Sequence, residues 1–241
     1  LRFARARLEA AVSRHEQLSR QLVALFSGGG DQTPIREAVE QVERDDDRMI
    51  FQTCLRAIQA TRRSNLGVAG RRSLAARLEP TLFCEADETL PFAILFAVGR
   101  AFEGFHVRFQ EVARGGMRLV CPRSAEAHSL ECERLFREAY ALARAQHLKN
   151  KDIPEGGSKA VVLVEPEASA AECGRVFADA LLDLTLGDPA EFLYLGPDEN
   201  VSNELIEWIS LRAARRGHPL PATFMSSKPG AGINHKAYGI T

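Results

Sequence analysis

The last third of the chain alternates strand-like and helix-like patterns, and this order limits the possible folds more than any other feature. Residues 160–164 (AVVLV) and 192–195 (FLYL) have the length and continuous hydrophobicity of strands buried on both faces. Between them, Ser169-Ala-Ala-Glu172 forms a capping box that predicts a helix continuing to about Leu184. A strand, a crossover helix and a second strand favour parallel pairing in a helix-covered sheet. The pattern therefore predicts an α/β fold.

Further strand-like segments precede this unit. Residues 92–98 form an apolar run, residues 105–109 alternate with period two, and Gly104 lies between them, which predicts a β-hairpin. Residues 117–120 add a third short strand, and residues 126–149 have the apolar spacing of a long helix. Residues 80–241 are thus predicted to form a three-layer α/β/α domain around a mixed, mostly parallel sheet.

The first 79 residues predict a helical segment. Residues 4–26 carry leucines at helical spacing, and the glycines at 28–30 end that helix. Thr33 as N-cap, with Pro34 at the first helical position, begins a second helix that reaches about residue 61. This helix is expected to have a break near the acidic residues 45–47, and we expect those residues to form a solvated face because consecutive helical residues point in different directions.

Composition argues against several classes of protein. The formal net charge is −1, whereas nucleic-acid-binding proteins usually have an excess of basic residues. For this chain to bind nucleic acid, its arginines would have to form a continuous basic stripe that joins Arg62, Arg63, Arg71 and Arg72. Five cysteines without a C-x-x-C pair indicate reduced thiols and a cytoplasmic location. The longest apolar run, residues 90–99, is about half of what a membrane span needs. Six histidines show no ligand-like spacing, so no metal site is predicted. A chain that opens on Leu1 in a helical pattern indicates a piece of a longer protein without a signal peptide.

Residues 149–159 (KNKDIPEGGSK) concentrate side chains that can carry chemistry. They bring three lysines and a Gly-Gly turn to the end of a helix and the start of a buried strand. Lys159 at the start of that strand is expected to be partly desolvated, and desolvation favours the neutral amine that proton transfer requires. Alternatively, Lys151 and Lys159 extend their charged ends into solvent. The sequence leaves both interpretations open.

Two further positions suit the same chemistry. Asp198 follows the carboxyl end of a buried strand, where α/β sheets collect functional side chains, although a helix N-cap is the alternative. Arg114 in the segment RGGMR presents a guanidinium that can bind a carboxylate, although an Arg-Gly-Gly hairpin turn is the alternative. Cations for two carboxylates, with a lysine and an aspartate for proton transfer, suit a dicarboxylate that carries a carbonyl or an amine.

Several motifs resemble the large NAD-specific glutamate dehydrogenases. They are FEGFHVRF (102–109), ARGGMR (113–118), QHLKNKDIPEGGSK (146–159) and YLGPDEN (194–200), and residues 227–241 resemble the loop that leads into that family's dinucleotide domain. The resemblance covers residues 40–241. It implies the N-terminal-domain fold of amino-acid dehydrogenases, a substrate-binding catalytic domain over 80–241 and an NAD-binding domain after residue 241.

The resemblance also implies roles for individual residues. Lys159 is implied to be the catalytic lysine, which polarises the carbonyl or imine and activates water, and Asp198 to be the carboxylate that transfers protons. Ser226 is implied to lie near the nicotinamide. The implied substrate-binding residues are Gln146 and Lys149 for the α-carboxylate, Arg114 for the distal carboxylate and Gly115 through its backbone.

The expected activity is therefore the NAD-dependent oxidative deamination of L-glutamate to 2-oxoglutarate and ammonia by a homo-oligomer. No G-x-G-x-x-G follows a strand, so NAD is expected to bind mainly to a domain outside this chain, and the chain alone is expected to be inactive. Ala160 departs from the family, which generally has glycine after the catalytic lysine. The alternative is a catalytically silent regulatory or oligomerisation module that retains the fold.

One geometric difficulty arises from the predicted strands. Lys159 begins its strand whereas Asp198 follows the end of its own, so parallel pairing would separate them by roughly 13 Å. We therefore expect either one antiparallel strand in a mixed sheet or loops that fold back over one edge. The catalytic interpretation requires Lys159, Asp198, Lys149 and Arg114 to face one cleft.

Overall fold

The computed structural model describes residues 5–149, 151–188 and 191–227. The chain divides into two compact units, Leu1–Arg62 and Arg63–Thr241. The division falls earlier than the expected boundary after residue 79. Residues 61–64 and 74–78 are strands of the sheet instead of parts of a helical segment.

The helices of the first unit are α1 (Arg5–Arg14), α2 (Glu16–Gly28), α3 (Thr33–Glu40) and α4 (Asp45–Gln59). The strands are β1 (Thr61–Ser64), β2 (Leu74–Leu78), β3 (Ala93–Val98), β4 (Phe102–Arg108), β5 (Ala113–Val120), β6 (Gly156–Val164) and β7 (Leu193–Pro197). The remaining helices are α5 (Ala125–His147), α6 (Ala170–Thr185), α7 (Asn203–Arg215) and α8 (Pro221–Phe224), and Pro80–Leu82 form a 3₁₀ turn.

The first unit packs its four helices around an apolar core contributed by leucines of α2, Ile35 and Val39 of α3, and Ile50 and Phe51 of α4. The single helix expected over residues 4–26 is divided into two at His15. The predicted glycine stop is confirmed, since α2 ends at Gly28. The predicted break is also present, between α3 and α4.

Two local predictions in this unit were wrong. Thr33 is the first residue of α3 and not its N-cap, and the carboxylate of Asp31 accepts a hydrogen bond from the Thr33 amide. Asp47 is buried and not solvated, because Arg14 at 2.6 Å and His15 at 3.1 Å bind its carboxylate. Sequence spacing within α4 does not reveal partners that are more than 30 residues away in the chain.

The second unit contains a seven-stranded sheet with the strand order β1-β2-β3-β4-β6-β5-β7. The pairs β2–β3, β3–β4 and β4–β6 are antiparallel, whereas β5 pairs in parallel with β6 and with β7. The predicted mixed sheet is confirmed. The expectation that it is mostly parallel was wrong, because three of these five strand pairs are antiparallel.

Helices cover both faces of the sheet, which confirms the predicted three-layer α/β/α architecture. Helix α5 packs over β4 and β6 on one face, and its Leu135 and Ala139 meet Val161 and Leu163 of β6. Helices α6 and α7 cover the opposite face, where they enclose the larger apolar core. Ser169 caps α6 as predicted, since its hydroxyl accepts a hydrogen bond from the Glu172 amide.

Several strand boundaries differ from expectation. Gly104 lies inside β4, and the β3–β4 turn is at residues 99–101, where the Gly99 amide donates to the Phe102 carbonyl oxygen. Strand β5 begins at Ala113 and includes the Arg-Gly-Gly segment, so that segment is not a hairpin turn. Strand β6 begins at Gly156, so Lys159 lies inside it and not at its start.

Candidate active site

The face of the sheet that carries α5 also carries the candidate catalytic residues. Because side chains alternate along a strand, Arg114, Gly116 and Arg118 of β5 share this face. Lys159 shares it with Val161 of β6, which packs against α5. Helix α5 lies mainly over β4 and β6, so the candidate residues of β5 and β7 lie beside the helix.

The strand register explains how Lys159 meets Asp198. The pairs Arg114–Gly157 and Met117–Ala160 have the same offset, which places Lys159 level with Gly116. Gly116 in turn pairs with Gly196 of β7, two residues before Asp198. The strands of Lys159 and Asp198 therefore run parallel, contrary to both expected solutions. Lys159 can still meet the residue that follows β7, because β6 begins three residues before Lys159 and Lys159 is therefore level with Gly196 near the end of β7.

Lys159 and Asp198 form a hydrogen-bonded ion pair, Nζ to Oδ2. The Lys159 side chain is buried, whereas Asp198 is partly exposed. Gly116 lies between them, and a Cβ at that position would lie 2.9 Å from Asp198 Cβ and 3.3 Å from Lys159 Nζ. The two side chains can meet here because β5 has no side chain at Gly116.

Hydrogen bonds to β5 hold the Asp198 loop in place. The Asp198 amide donates to the Met117 carbonyl oxygen at 3.1 Å, and Asn200 Nδ2 donates to that of Leu119 at 2.8 Å. Burial raises the pKa of the Asp198 carboxyl, but the Lys159 hydrogen bond and charge, the Glu199 amide and the Arg118 charge together hold this pKa below its ordinary value. Asp198 is therefore a carboxylate at neutral pH.

Arg118 is a component of the site that the sequence analysis did not single out. Its Nε lies 3.8 Å from Asp198 Oδ2 and 3.3 Å from Glu199 Oε2, and its NH1 donates to Glu138 of α5 at 2.7 Å. Period-two alternation from Arg114 could have identified it, because residues 114, 116 and 118 of a strand share one face. Arg118 thus connects Asp198 to the helix layer.

Gly157 brings the end of α5 to the same face. A Cβ on Gly157 would overlap the backbone of α5, including the His147 amide nitrogen, and would lie 2.6 Å from the carbonyl carbon of Gln146. Gly157 also pairs with Arg114 in the sheet. The structure therefore brings the backbone of Gln146 near that of Arg114.

Arg114 and the lysines of the preceding loop differ in their surroundings. The Arg114 side chain is 53 % exposed and donates to Glu155 at 3.0 Å. Lys149 is exposed, whereas the Lys151 side chain is only 17 % exposed and lies 3.3 Å from Glu155. Lys149 is thus the expected site residue for which the described contacts give least support.

Gly115 and Ser226 complete the set of expected residues. A Cβ on Gly115 would overlap the carbonyl group of Ser158, so glycine is required here for β5 and β6 to approach each other. Ser226 donates its amide hydrogen to the Leu195 carbonyl oxygen at 2.8 Å, beside β7. Its Oγ lies 3.4 Å from a Cβ placed on Gly196, next to the glycines of β5.

A metal site would require clustered ligands, and a nucleic-acid site would require a continuous basic stripe. Within residues 5–149, 151–188 and 191–227, no group of three or more His, Cys, Asp or Glu side chains is arranged to hold a metal ion. The arginines that could form a basic stripe have protein partners. Arg63 pairs with Asp188 at 3.1 Å, Arg72 pairs with Glu172, and Arg71 donates to the Leu66 carbonyl oxygen at 2.6 Å. No helix in the described part of the chain is long and apolar enough to cross a bilayer.

Comparison with known proteins places these observations in a family. Residues 34–192 match the family model described as bacterial NAD-glutamate dehydrogenase, catalytic domain. NAD-specific glutamate dehydrogenase of Saccharomyces cerevisiae is 34 % identical over 215 residues, which is 81 % of this chain and 20 % of that protein. The Neurospora crassa enzyme of the same name is 32 % identical over 272 residues, which is 95 % of this chain and 26 % of that protein. The chain thus spans about a fifth to a quarter of the length of these relatives.

Two solved structures show weaker similarity. Hetero-hexameric glutamate dehydrogenase from Thermus thermophilus has a TM-score of 0.40 and 23 % identity over 58 % of this chain and 31 % of its own. Glutamate dehydrogenase from Peptoniphilus asaccharolyticus has a TM-score of 0.38 and 18 % identity over 87 % of this chain and 44 % of its own. The chain belongs to the family of bacterial NAD-glutamate dehydrogenases, whose catalytic-domain model matches residues 34–192.

Proposed function

We propose that this chain is the substrate-binding part of an NAD-dependent glutamate dehydrogenase that converts L-glutamate to 2-oxoglutarate and ammonia. The observation that carries the proposal is the Lys159–Asp198 pair above Gly116, on the strand face that also carries Arg114. A proton-transferring pair and a cation on one face match the needs of an amino acid with two carboxylates.

Substrate binding uses two neighbouring groups on this face. The distal carboxylate of glutamate binds the Arg114 guanidinium, and the α-carboxylate lies toward Gln146 at the end of α5. The α-carbon then lies over Gly116, where the absence of a side chain leaves room beside Lys159 and Asp198. This orientation places the reacting amine within reach of both ionisable groups.

Proton transfer follows from the charges of the pair. Hydride departure from the α-carbon requires a neutral amine, so the carboxylate of Asp198 accepts a proton from the substrate ammonium group. Hydride departure leaves an iminium ion, and Asp198, which is partly exposed, releases its first proton to solvent. Asp198 then accepts a proton from the water that attacks the iminium carbon, while the ammonium group of Lys159 stabilises the negative charge that develops on the water oxygen. Asp198 passes this proton to the nitrogen, and ammonia leaves as the hydroxyl proton returns to Asp198 and the carbonyl of 2-oxoglutarate forms.

Ser226 and the glycine pair Gly116–Gly196 fit one edge of a nicotinamide site. The Ser226 hydroxyl beside Gly196 offers a hydrogen-bonding group at a surface without side chains. NAD, when bound, accepts the hydride that leaves the α-carbon. We propose that most of its binding residues belong to a domain outside this chain, and that the full-length protein is a cytoplasmic homo-oligomer.

The test uses the full-length protein and follows glutamate-dependent reduction of NAD. Lys159→Met is expected to lower kcat by roughly 10²–10⁴-fold, the usual contribution of general acid–base catalysis, while leaving the thermal unfolding curve unchanged. Arg137→Met, which removes an exposed cation of α5, is the control and keeps its activity. Near-normal turnover of Lys159→Met refutes the catalytic role. Absence of any glutamate-dependent turnover in the unmodified protein favours a catalytically silent module.

A further inference from the structure

Glu155 connects two cations at the edge of the candidate site. A single oxygen, Oε1, lies 3.0 Å from Arg114 NH2 and 3.3 Å from Lys151 Nζ. The carboxylate is only 12 % exposed, which is unusual for a glutamate that immediately precedes a strand. The guanidinium and the ammonium group thus approach the same carboxylate oxygen.

The backbone around Glu155 is fixed by hydrogen bonds. The Glu155 amide donates to the Ile153 carbonyl oxygen at 2.9 Å, and the next amide, that of Gly156, donates to the Val112 carbonyl oxygen at 2.9 Å. Arg114 is held in turn by the pairing of β5 with Gly157. The carboxylate therefore projects from a rigid point toward a cation whose own backbone is rigid.

The charge balance leaves this group able to bind an anion. Two cations and one carboxylate give a net charge of +1. Arg114 has five N–H donors, and its contact with Glu155 uses one edge of the guanidinium. Lys151 donates to the Gly156 carbonyl oxygen at 3.3 Å and lies beside Glu155, which occupies part of its capacity of three donors.

We propose that Glu155 is a positioning residue that holds Arg114 and Lys151 together as a two-cation receptor for the distal carboxylate of the substrate. This inference rests on the proposed function and adds Lys151 and Glu155 to it. Arg114 is half-exposed, so without Glu155 its long side chain would sample many rotamers. Fixing it beforehand reduces the entropy lost when substrate binds.

A competing interpretation gives Glu155 the opposite effect. In that case the carboxylate occupies Arg114 in place of the substrate, and its removal tightens binding. Glu155→Gln and Glu155→Ala separate the two interpretations, because glutamine retains an oxygen that accepts from Arg114 whereas alanine does not. Positioning predicts loss in Glu155→Ala and substantial rescue in Glu155→Gln.

The experiment measures binding of glutarate to the full-length protein by calorimetry. Glutarate has the two carboxylates of glutamate and no amine, and valerate is its monocarboxylate control. Glu155→Ala and Lys151→Met are each expected to weaken glutarate binding about tenfold, the loss of one charge-assisted hydrogen bond, and to change valerate binding less than about threefold. In steady-state assays both raise KM for glutamate while kcat stays within about threefold of the unmodified protein.

Conservative and control variants make the result decisive. Lys151→Arg and Glu155→Gln should each recover at least half of the lost binding free energy. Glu88→Ala also removes a glutamate that binds an arginine, Arg137 at 2.8 Å, but lies outside the site, so it should bind glutarate normally. If Glu155→Ala does not fold, Glu155→Gln and Lys151→Met carry the test.

The possible failures are distinguishable. Glutarate binding that is unchanged in Lys151→Met, or tightened or unchanged in Glu155→Ala, overturns this inference. Equal losses in Glu155→Gln and Glu155→Ala also overturn it. If Arg114→Ala still weakens glutarate binding, the proposed function stands without the two-cation receptor. If Arg114→Ala has no effect either, the substrate site itself is misplaced.

Discussion

Lys159 and Asp198 form an ion pair across strand β5, to which neither residue belongs. Lys159 comes from β6 and Asp198 follows β7, and β5 lies between those strands. The pair forms because Gly116, the β5 residue level with Lys159, has no side chain. The proposed catalytic arrangement therefore depends on one glycine as much as on the two ionisable groups.

Gly116→Ala is expected to disrupt the site without removing any functional group. The new Cβ would lie 2.9 Å from Asp198 Cβ, which is closer than ordinary contacts allow, so Asp198 must move away from Lys159. A displacement of about 1 Å can lower the rate roughly 10²-fold. Steady-state kinetics of the full-length protein should show this loss mainly in kcat.

Gly67→Ala is the matched control for this substitution. A Cβ at Gly67 meets no atom within 4 Å, and its backbone does not require glycine. It should therefore leave kcat and stability unchanged. Equal kinetics in the two variants would show that Gly116 has no special role.

Arg118→Met is expected to shift the pH profile. The positive charge of Arg118 is one of the effects that lower the pKa of Asp198, so its removal raises that pKa. The proposed oxidative deamination needs Asp198 as a carboxylate, and the acidic limb of the kcat/KM profile should therefore move to higher pH. Arg137→Met on α5 should leave that limb in place, and a profile that is unchanged in Arg118→Met contradicts the assignment.

Arg114→Ala is expected to act on substrate affinity more than on turnover. Loss of a hydrogen bond to a charged group costs about 1.5–3 kcal/mol, which corresponds to a KM for glutamate raised roughly 10- to 150-fold. The value of kcat at saturating glutamate should change much less. A KM equal to that of the unmodified protein would remove Arg114 from the site.

Asp47 predicts a pH-dependent stability for the helical unit. The Arg14 hydrogen bond, together with the His15 hydrogen bond and nearby arginine charges, lowers the pKa of Asp47 from 3.8 to about 2, although burial opposes this effect. Because the folded-state pKa is depressed, this stabilisation is fully present above the unfolded value and disappears as pH falls toward 2. Asp47→Asn should therefore reduce amide protection in α1, α2 and α4, with a smaller difference from the unmodified protein below about pH 4.

Asp46→Asn serves as the control for this measurement. The Asp46 side chain is 47 % exposed and pairs with Arg7 at 3.3 Å, whereas that of Asp47 is 2 % exposed. Exposed ion pairs contribute little to stability, so amide protection should hardly change in Asp46→Asn. Equal effects of the two substitutions would mean that burial of Asp47 is not what stabilises the unit.

Much of the second unit could be predicted because its elements have local signals. Apolar runs identified the central strands, and the capping box identified the start of α6 at Ser169. Strands β1 and β2 were both missed. Strand β1 (TRRS) has no apolar run and lies at the sheet edge. A strand of that kind is specified by its neighbours and not by its own sequence.

The stagger between Lys159 and Asp198 could not be predicted for a related reason. Gly156-Gly157 has the composition of a turn, yet both residues belong to β6. The glycine at position 157 serves the close approach of α5, because a side chain there would overlap the helix. The same limitation applies to the lysines. The sequence alone does not show which of Lys149 and Lys151 is partly buried. In the structure Lys151 lies beside the Glu155 carboxylate and is the less exposed of the two.

The most direct test of the account is a structure of the full-length protein with 2-oxoglutarate bound. The account predicts that one carboxylate lies about 2.7–2.9 Å from the Arg114 guanidinium and that the carbonyl group lies over Gly116 beside Lys159 Nζ. Binding of 2-oxoglutarate to a different face of the sheet, with Lys159 and Asp198 still paired and distant from it, would contradict the central claim.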